Sequence, residues 1–208
     1  MNQKTVYAEI YRDKGFERKG LFELISKETP GGNVLYPGCS MHITPSFVFQ
    51  HVVYLDQSKE AQEFFTDEQA VRELITDNKS YKTAPYFRFL SGDYTTGDLA
   101  LEDSNFDILI SLYAVNVIRF CRRYIRNKGI IVSNNFHDEA LDALKYEDLR
   151  LIGYIRKAKN KYMLYKDDPN TALQHRDEAK VQKLCIKNRN GSMWYEDHET
   201  YYLFQVTR

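Results

Sequence analysis

The residues able to carry chemistry fall in three places. In the first, Asn33-Val34-Leu35-Tyr36-Pro37-Gly38-Cys39-Ser40 brings an apolar run into a glycine turn, and His51-Val52-Val53-Tyr54-Leu55-Asp56 ends the next apolar run in a lone carboxylate. Glycine has no Cβ and lets backbone come close to a ligand. A carboxylate at the tip of the following strand accepts both hydroxyl protons of a ribose, so Gly38 and Asp56 are the pair an adenosine site needs. An ordinary strand-to-helix turn would use the same residues. In the second place, Ser91-Gly92-Asp93-Tyr94 closes another strand, with Asp93 as either a site carboxylate or a turn former. The third is Ser133-Asn134-Asn135-Phe136-His137-Asp138-Glu139, at the carboxyl end of a strand, where open α/β sheets bind ligands. Imidazole titrates near neutral pH, which makes His137 a candidate general base with Asp138 to orient it. The other reading is that Asn135 or Asp138 caps the helix of Ala140, Leu141 and Leu144. None of these groupings requires a metal.

These residues need strands that end together. Val6, Tyr7, Ile10 and Tyr11, then Leu21, Phe22, Leu24 and Ile25, recur at helical spacing, so two helices over residues 1–30 precede the first strand. Asp13 to Gly15 separates them, and they serve as packing or as a lid over Gly38. Thr44-Pro45 starts a short helix, Ser58 caps a helix with Ala61, Phe64 and Phe65, and Thr66 with Gln69 forms a capping box for the helix of Val71, Leu74 and Ile75. Tyr86 to Leu90 reads as the third strand and Phe106 to Tyr113 as a fourth, apolar enough to be buried on both faces. The next helix carries Val117, Phe120, Cys121, Tyr124 and Ile125 on one side. Its Arg119, Arg122, Arg123 and Arg126 form a solvated face, since no aromatics alternate with them as in a nucleic-acid surface. Gly129 is expected to stop that helix before a short strand, Ile130 to Val132. Leu149 to Ile155 and Tyr162 to Tyr165 pair as a hairpin. A helix with Leu173, Val181, Leu184 and Cys185 follows, and Thr200 to Val206 is the last strand.

Composition narrows the classes. With 208 residues, 43% of them hydrophobic, the chain builds one sizeable core, and a single domain over 1–208 is expected. Lys plus Arg equals Asp plus Glu at 29 each, so no global field steers it to nucleic acid or an anionic membrane. No run reaches the roughly 20 apolar residues of a membrane span, and nothing behind Met1-Asn2-Gln3-Lys4 resembles an apolar signal core, so a cytoplasmic location is expected. The three cysteines, Cys39, Cys121 and Cys185, have no Cys-x-x-Cys spacing and are expected to be reduced.

Alternating strands and helices demand crossover connections and a doubly wound, mostly parallel α/β sheet. The segments Val34 to Ser40, Val53 to Ser58, Ser91 to Tyr94, Phe106 to Ser111 and Asn127 to Val132 resemble the class I S-adenosylmethionine-dependent methyltransferases. The resemblance covers about half the chain, from Asn33 to Val132. It implies a Rossmann-like sheet of seven strands with helices on both faces, the last strand antiparallel, a role that Thr200 to Val206 suits. It also implies S-adenosylmethionine as cofactor. Pro37, Gly38, Cys39 and Ser40 would line its methionine part, Asp56 with Gln57 would bind the ribose, Asp93 with Tyr94 would flank the adenine, and Ser111 to Tyr113 would lie beside the sulfonium. Cys39, Ser40, Met41 and His42 stand where the family carries further glycines.

Two functions are therefore set side by side. One is a methyltransferase acting on a small molecule or a protein, with Asn134, Asn135 and His137 as acceptor contacts. The other is a non-catalytic Rossmann-like binding or scaffold domain without the cofactor. A nucleotide-dependent oxidoreductase is disfavoured by the missing glycines, and methylation of nucleic-acid amines by the lack of an Asn-Pro-Pro-aromatic motif after the fourth strand. Acceptor specificity is expected in residues 167–198, because the sheet is generic and the insert is not.

Overall fold

The protein is described from a computed structural model that covers residues 2–29, 31–97, 99–159, 161–167, 173, 185–187, 193–195 and 200–208. Helix α1 (Gln3–Tyr7) starts at Asn2, whose side chain accepts the Thr5 N–H at 3.1 Å. It runs into one π-helical turn over Ala8–Arg12, and the chain breaks at the expected place, Gly15, with φ +71°. Helix α2 (Lys19–Glu28) buries Leu21, Phe22 and Ile25.

Five parallel strands follow: β1 (Asn33–Pro37), β2 (His51–Asp56), β3 (Tyr86–Ser91), β4 (Phe106–Ser111) and β5 (Ile125–Asn134). Between them lie α3 (Lys59–Thr66), α4 (Glu68–Asn78) and α5 (Val117–Cys121), and after β5 comes α6 (Glu139–Ala143). The hairpin of β6 (Leu149–Ala158) and β7 (Lys161–Tyr165) forms as expected. A separate antiparallel pair, β8 (Cys185–Lys187) and β9 (Met193–Tyr195), precedes β10 (Thr200–Val206). The main sheet has eight strands in the order β3-β2-β1-β4-β5-β10-β6-β7, with β10 antiparallel to both neighbours. Seven of them reproduce the expected pattern, and β7 is an eighth on the outer edge.

Period-2 alternation sorts side chains to the two faces of this sheet. Val34, Tyr36, Ile108, Ile110, Ile130, Val132, Tyr201 and Leu203 pack on one face, under α1, α2 and α4. Leu35, Leu109, Ile131, Tyr202 and Phe204 pack on the other, against α5 and α6. All six residues of β4 are buried because both faces are covered. Asp107 fixes the start of β1: its Oδ2 accepts the N–H groups of Gly32 and Asn33 at 2.8 and 2.9 Å, and its Oδ1 pairs with Arg126 Nε at 2.6 Å.

Several local expectations are corrected. The arginine-rich helix is short: α5 ends at Cys121, a 3-10 turn spans Arg122–Tyr124, and β5 already begins at Ile125. Gly129 therefore lies inside β5 instead of ending a helix. A Cβ there would sit 2.5 Å from Ile125 Cγ2 and 2.9 Å from the Asp107 carbonyl oxygen, so lack of room, not a left-handed turn, requires glycine. Lys128 takes the left-handed conformation, with φ +65°. Arg122, Arg123 and Arg126 pair with Asp148, Asp103 and the buried Asp107. The cap of α4 is Asp67, whose Oδ1 accepts Ala70 N–H at 3.0 Å, while the Thr66 hydroxyl donates to Gln62 O. Cys185 is in strand β8, and most of the helix expected around it lies outside the described residues. No helix among the described residues is long and apolar enough to cross a membrane.

Candidate functional site

The strand order reverses between β1 and β4, and the crevice at the carboxyl ends of those two strands is where open α/β sheets take ligands. A hollow of about 470 Å³ lies there, within the usual range for small-molecule sites. Its floor is Tyr36 in β1, Gly38, Cys39 and Ser40 after it, and Leu112 and Tyr113 after β4. Ile10, Tyr11, Lys14, Phe16 and Arg18 of the N-terminal segment form one wall, so that segment is part of the site as well as packing. Phe136 closes another side, edge-on to Tyr113 at 5.7 Å between ring centres.

The glycine loop is held from below. Gly38 has φ +65° and donates its N–H to Leu55 O at 2.8 Å. A Cβ on it would lie 2.5 Å from Ala114 Cβ, so the β4 loop already uses the space that glycine leaves. Ser40, itself at φ +49°, donates its N–H to Asp56 Oδ2 at 2.7 Å, and Asp56 Oδ1 accepts Ser58 N–H at 2.8 Å. Asp56 thus ties the two strand tips together. A carboxylate offers about four acceptor sites, so the half-buried Asp56 retains room for two more donors.

His42 fastens the wall to the loop. The Glu17 carbonyl can only accept, so Nε2 carries the proton toward it at 3.1 Å and Nδ1 accepts from the Tyr36 hydroxyl at 3.1 Å. Its ring stacks on Tyr11 at 4.8 Å. Burial, together with the nearby Arg18 charge, lowers its pKa to about 3, so it is neutral and structural. Tyr11 hydrogen-bonds Ser40 and Met41, and burial pushes its phenol up to about 12. Burial likewise pushes the Cys39 thiol well up, which removes it as a nucleophile. Arg18 is only 9% exposed. Its Nε donates to the Tyr201 hydroxyl, one amino group to Phe16 O and the other to the Tyr113 hydroxyl, each at 2.9 Å.

Of the residues expected from the sequence, Gly38, Cys39, Ser40 and Tyr113 line the hollow. Pro37 ends β1 beneath it, and Asp56 meets it through Ser40. Gln57 is exposed and its carbonyl accepts from Gln62. Asp93 caps a 3-10 turn, taking both the N–H and the hydroxyl of Thr95, which lowers its pKa. Tyr94 donates to Val115 O at 2.9 Å, and its ring comes within 3.9 Å of where a Gly38 Cβ would be. Ser111 is buried and donates to Glu139.

The cluster after β5 is spread out. Asn134 Oδ1 accepts Tyr113 N–H at 3.3 Å, and Asn135 Oδ1 accepts Leu141 N–H, in the first turn of α6, at 3.0 Å. His137 is exposed at φ +50°, and none of these three side chains lines the hollow. Sequence reasoning passed over Tyr11, Phe16 and Arg18, which lie at and between helices with no motif to flag them. Glu139 was counted in the cluster after β5 but given no role of its own. That buried carboxylate accepts Asn116 N–H at 2.8 Å and Ile118 N–H at 2.6 Å, fixing the loop that carries Tyr113 and Ala114.

No protein-family model matches the chain, and no curated protein matches it. Solved structures do. A structure described as a putative S-adenosyl-L-methionine-dependent methyltransferase from Methanococcus maripaludis is 13% identical with a TM-score of 0.51, over 99% of this chain and 92% of that one. A possible histamine N-methyltransferase from Thermotoga maritima is 9% identical with a TM-score of 0.51, over 100% and 95%. The cyclase SpnF is 11% identical with a TM-score of 0.53, over 91% and 80%. The chain has the class I methyltransferase-like, Rossmann-like fold.

Proposed function

We propose that the protein is an S-adenosylmethionine-dependent methyltransferase acting on a small molecule or a protein. The observation that carries this reading is the hollow at the β1/β4 reversal, floored by the Gly38–Ser40 loop and joined to Asp56 through Ser40. The residues present fit such a cofactor. Asp56 has acceptor capacity left for the ribose, and the Gly38–Ser40 backbone is open to the hollow for the methionine part.

When bound, the cofactor supplies a methyl group on a positively charged sulfur, open to in-line displacement. The chain's part is then mainly positioning. Leu112, Tyr113 and Phe136 enclose the reacting space and exclude water. Asn134 holds the Tyr113 backbone in place through its 3.3 Å bond. Asn135 acts from behind by accepting the Leu141 N–H in the first turn of α6, and the exposed His137, its ring edge-on to Phe136, is the base for an acceptor that has a proton to lose. Ultraviolet cross-linking of labelled S-adenosylmethionine, mapped by mass spectrometry, tests this. Label on peptides spanning 36–42 or 111–116 supports it, and label spread over the surface contradicts it.

A second reading has its own support. Both oxygens of Asp56 already accept backbone N–H groups, and Ala114 already fills the space beside Gly38. Both hallmarks of the cofactor site thus have explanations inside the chain, as a non-catalytic binding domain would have them. Such a domain would bind S-adenosylhomocysteine no better than adenine alone.

A further inference from the structure

The strand beyond the family's seven brings a feature the methyl-transfer reading does not use. From Leu149 to Lys166 the chain carries Arg150, Arg156, Lys157, Lys159, Lys161 and Lys166 and no Asp or Glu, in a protein whose charges otherwise balance. Four of these cations crowd the tip of the β6–β7 hairpin. Strand β10 is antiparallel to β5 and β6 is antiparallel to β10, so β6 runs with β5. The basic tip therefore points to the same end of the sheet as the hollow.

Two contacts join tip and hollow. Tyr162 of β7 packs on Tyr201 at 6.1 Å between ring centres and lies 3.1 Å from a Cβ built on Gly20, and Tyr201 takes the Arg18 hydrogen bond at the hollow's wall. Alternation along the hairpin turns Tyr162 and Leu164 to the core and leaves Arg156, Lys161 and Met163 outward, with Met163 47% exposed. Lys166 pairs with Glu28. Among the described residues no carboxylate pairs with Arg156, Lys159 or Lys161. Strand β7 is also the last in the sheet order, so among the described residues its outer edge carries no further strand.

We propose that the open edge of β7, with Arg156, Lys159 and Lys161 beside it, docks an extended acidic polypeptide segment as an added strand. An unpaired strand edge offers backbone donors and acceptors that another peptide can match, and the cations select one with Asp or Glu at alternate positions. Nucleic acid would answer the charge but could not use the edge. The docking does not depend on methyl transfer. That the docked chain presents the methyl acceptor rests on the function proposed above.

The test is fluorescence anisotropy with a labelled peptide alternating Glu and Val, read alongside hydrogen exchange of β7. Binding should weaken at least about tenfold in the Lys159→Glu, Lys161→Glu variant and as salt rises from about 0.05 M to about 0.5 M. The charge-matched control Lys27→Glu, Lys82→Glu should leave it unchanged, and thermal melts should show both variants folded. Amides of 161–165 should gain protection when peptide binds. The proposal is overturned by an unaffected Lys159/Lys161 variant or by tighter binding of an oligothymidylate. It is equally overturned by β7 amides already fully protected without peptide, which would mean the edge is covered by the chain itself. Cofactor binding is measured separately, so failure here leaves the methyltransferase reading intact and the converse also holds.

Discussion

Ser40 donates its backbone N–H to Asp56 across 2.7 Å, and this bond ties the loop after β1 to the tip of β2. The carboxylate takes a second N–H from Ser58, so it holds the floor of the hollow in shape before any ligand arrives. Structure and proposed binding thus converge on one side chain. Asp56→Ala leaves two backbone donors without an acceptor and should cost about 1–3 kcal/mol in a urea melt. Asp56→Asn keeps one acceptor and should cost less, yet should weaken nucleoside binding nearly as much. Equal binding by wild type and Asp56→Asn would remove Asp56 from the site.

Gly38→Ala meets two obstacles that can be separated. Its φ of +65° costs a residue with a Cβ about 1–2 kcal/mol, and the new methyl would sit 2.5 Å from Ala114 Cβ. Ala114→Gly should therefore restore part of the stability lost by Gly38→Ala, leaving the backbone strain. Strictly additive losses in a double-mutant cycle would show that the two do not collide.

The sheet was readable in the sequence because its signals are local. Val34-Leu35-Tyr36 and Phe106 to Ser111 are apolar runs too short for helices, and they end in Gly38 and in the loop before Asn116 as strand ends should. Helix α5 misled because Val117 to Ile125 keeps helical spacing while the Asp107–Arg126 pair and the tight contact at Gly129 pull the chain into β5. The wall of the hollow was readable only as helices that pack beside or cover Gly38, not residue by residue. Arg18 reaches Tyr113 and Tyr201, partners 95 and 183 positions away, and no local pattern encodes such distances. Asn135 was read as either a cap or an acceptor contact, and its side chain accepts the Leu141 N–H six positions on, a bond within its own neighbourhood.

His42 should contribute to the acid limb of stability. Its folded-state pKa is about 3, while in the unfolded chain it titrates near the ordinary histidine value of 6.5. Between those values the unfolded chain binds more protons, so stability is full above pH 6.5 and falls as pH drops toward 3. His42→Phe keeps a ring against Tyr11 and removes the titration. It should flatten that part of the curve while losing about 1–3 kcal/mol at neutral pH, because the Tyr36 hydroxyl and Glu17 carbonyl lose their partner. An unchanged acid limb would exclude His42 as its source.

Glu139 should behave in the opposite sense. Burial raises its carboxyl pKa above the ordinary 4.5, so the folded protein binds that proton more tightly than the unfolded chain does and stability declines as pH rises through the window above 4.5. Glu139→Gln lacks that slope, and because one of the two N–H groups loses its acceptor it should be about 1–2 kcal/mol less stable at neutral pH. Chemical denaturation at several pH values checks both points.

The central claim is that the hollow at the β1/β4 reversal holds an adenosyl cofactor. Calorimetric titration of the wild-type protein with S-adenosylhomocysteine, repeated with Asp56→Ala, measures it most directly. The account predicts saturable micromolar binding by the wild type, weakened at least about tenfold in the folded variant. Absence of heat with the wild type at millimolar ligand, or identical isotherms for the two proteins, would contradict it.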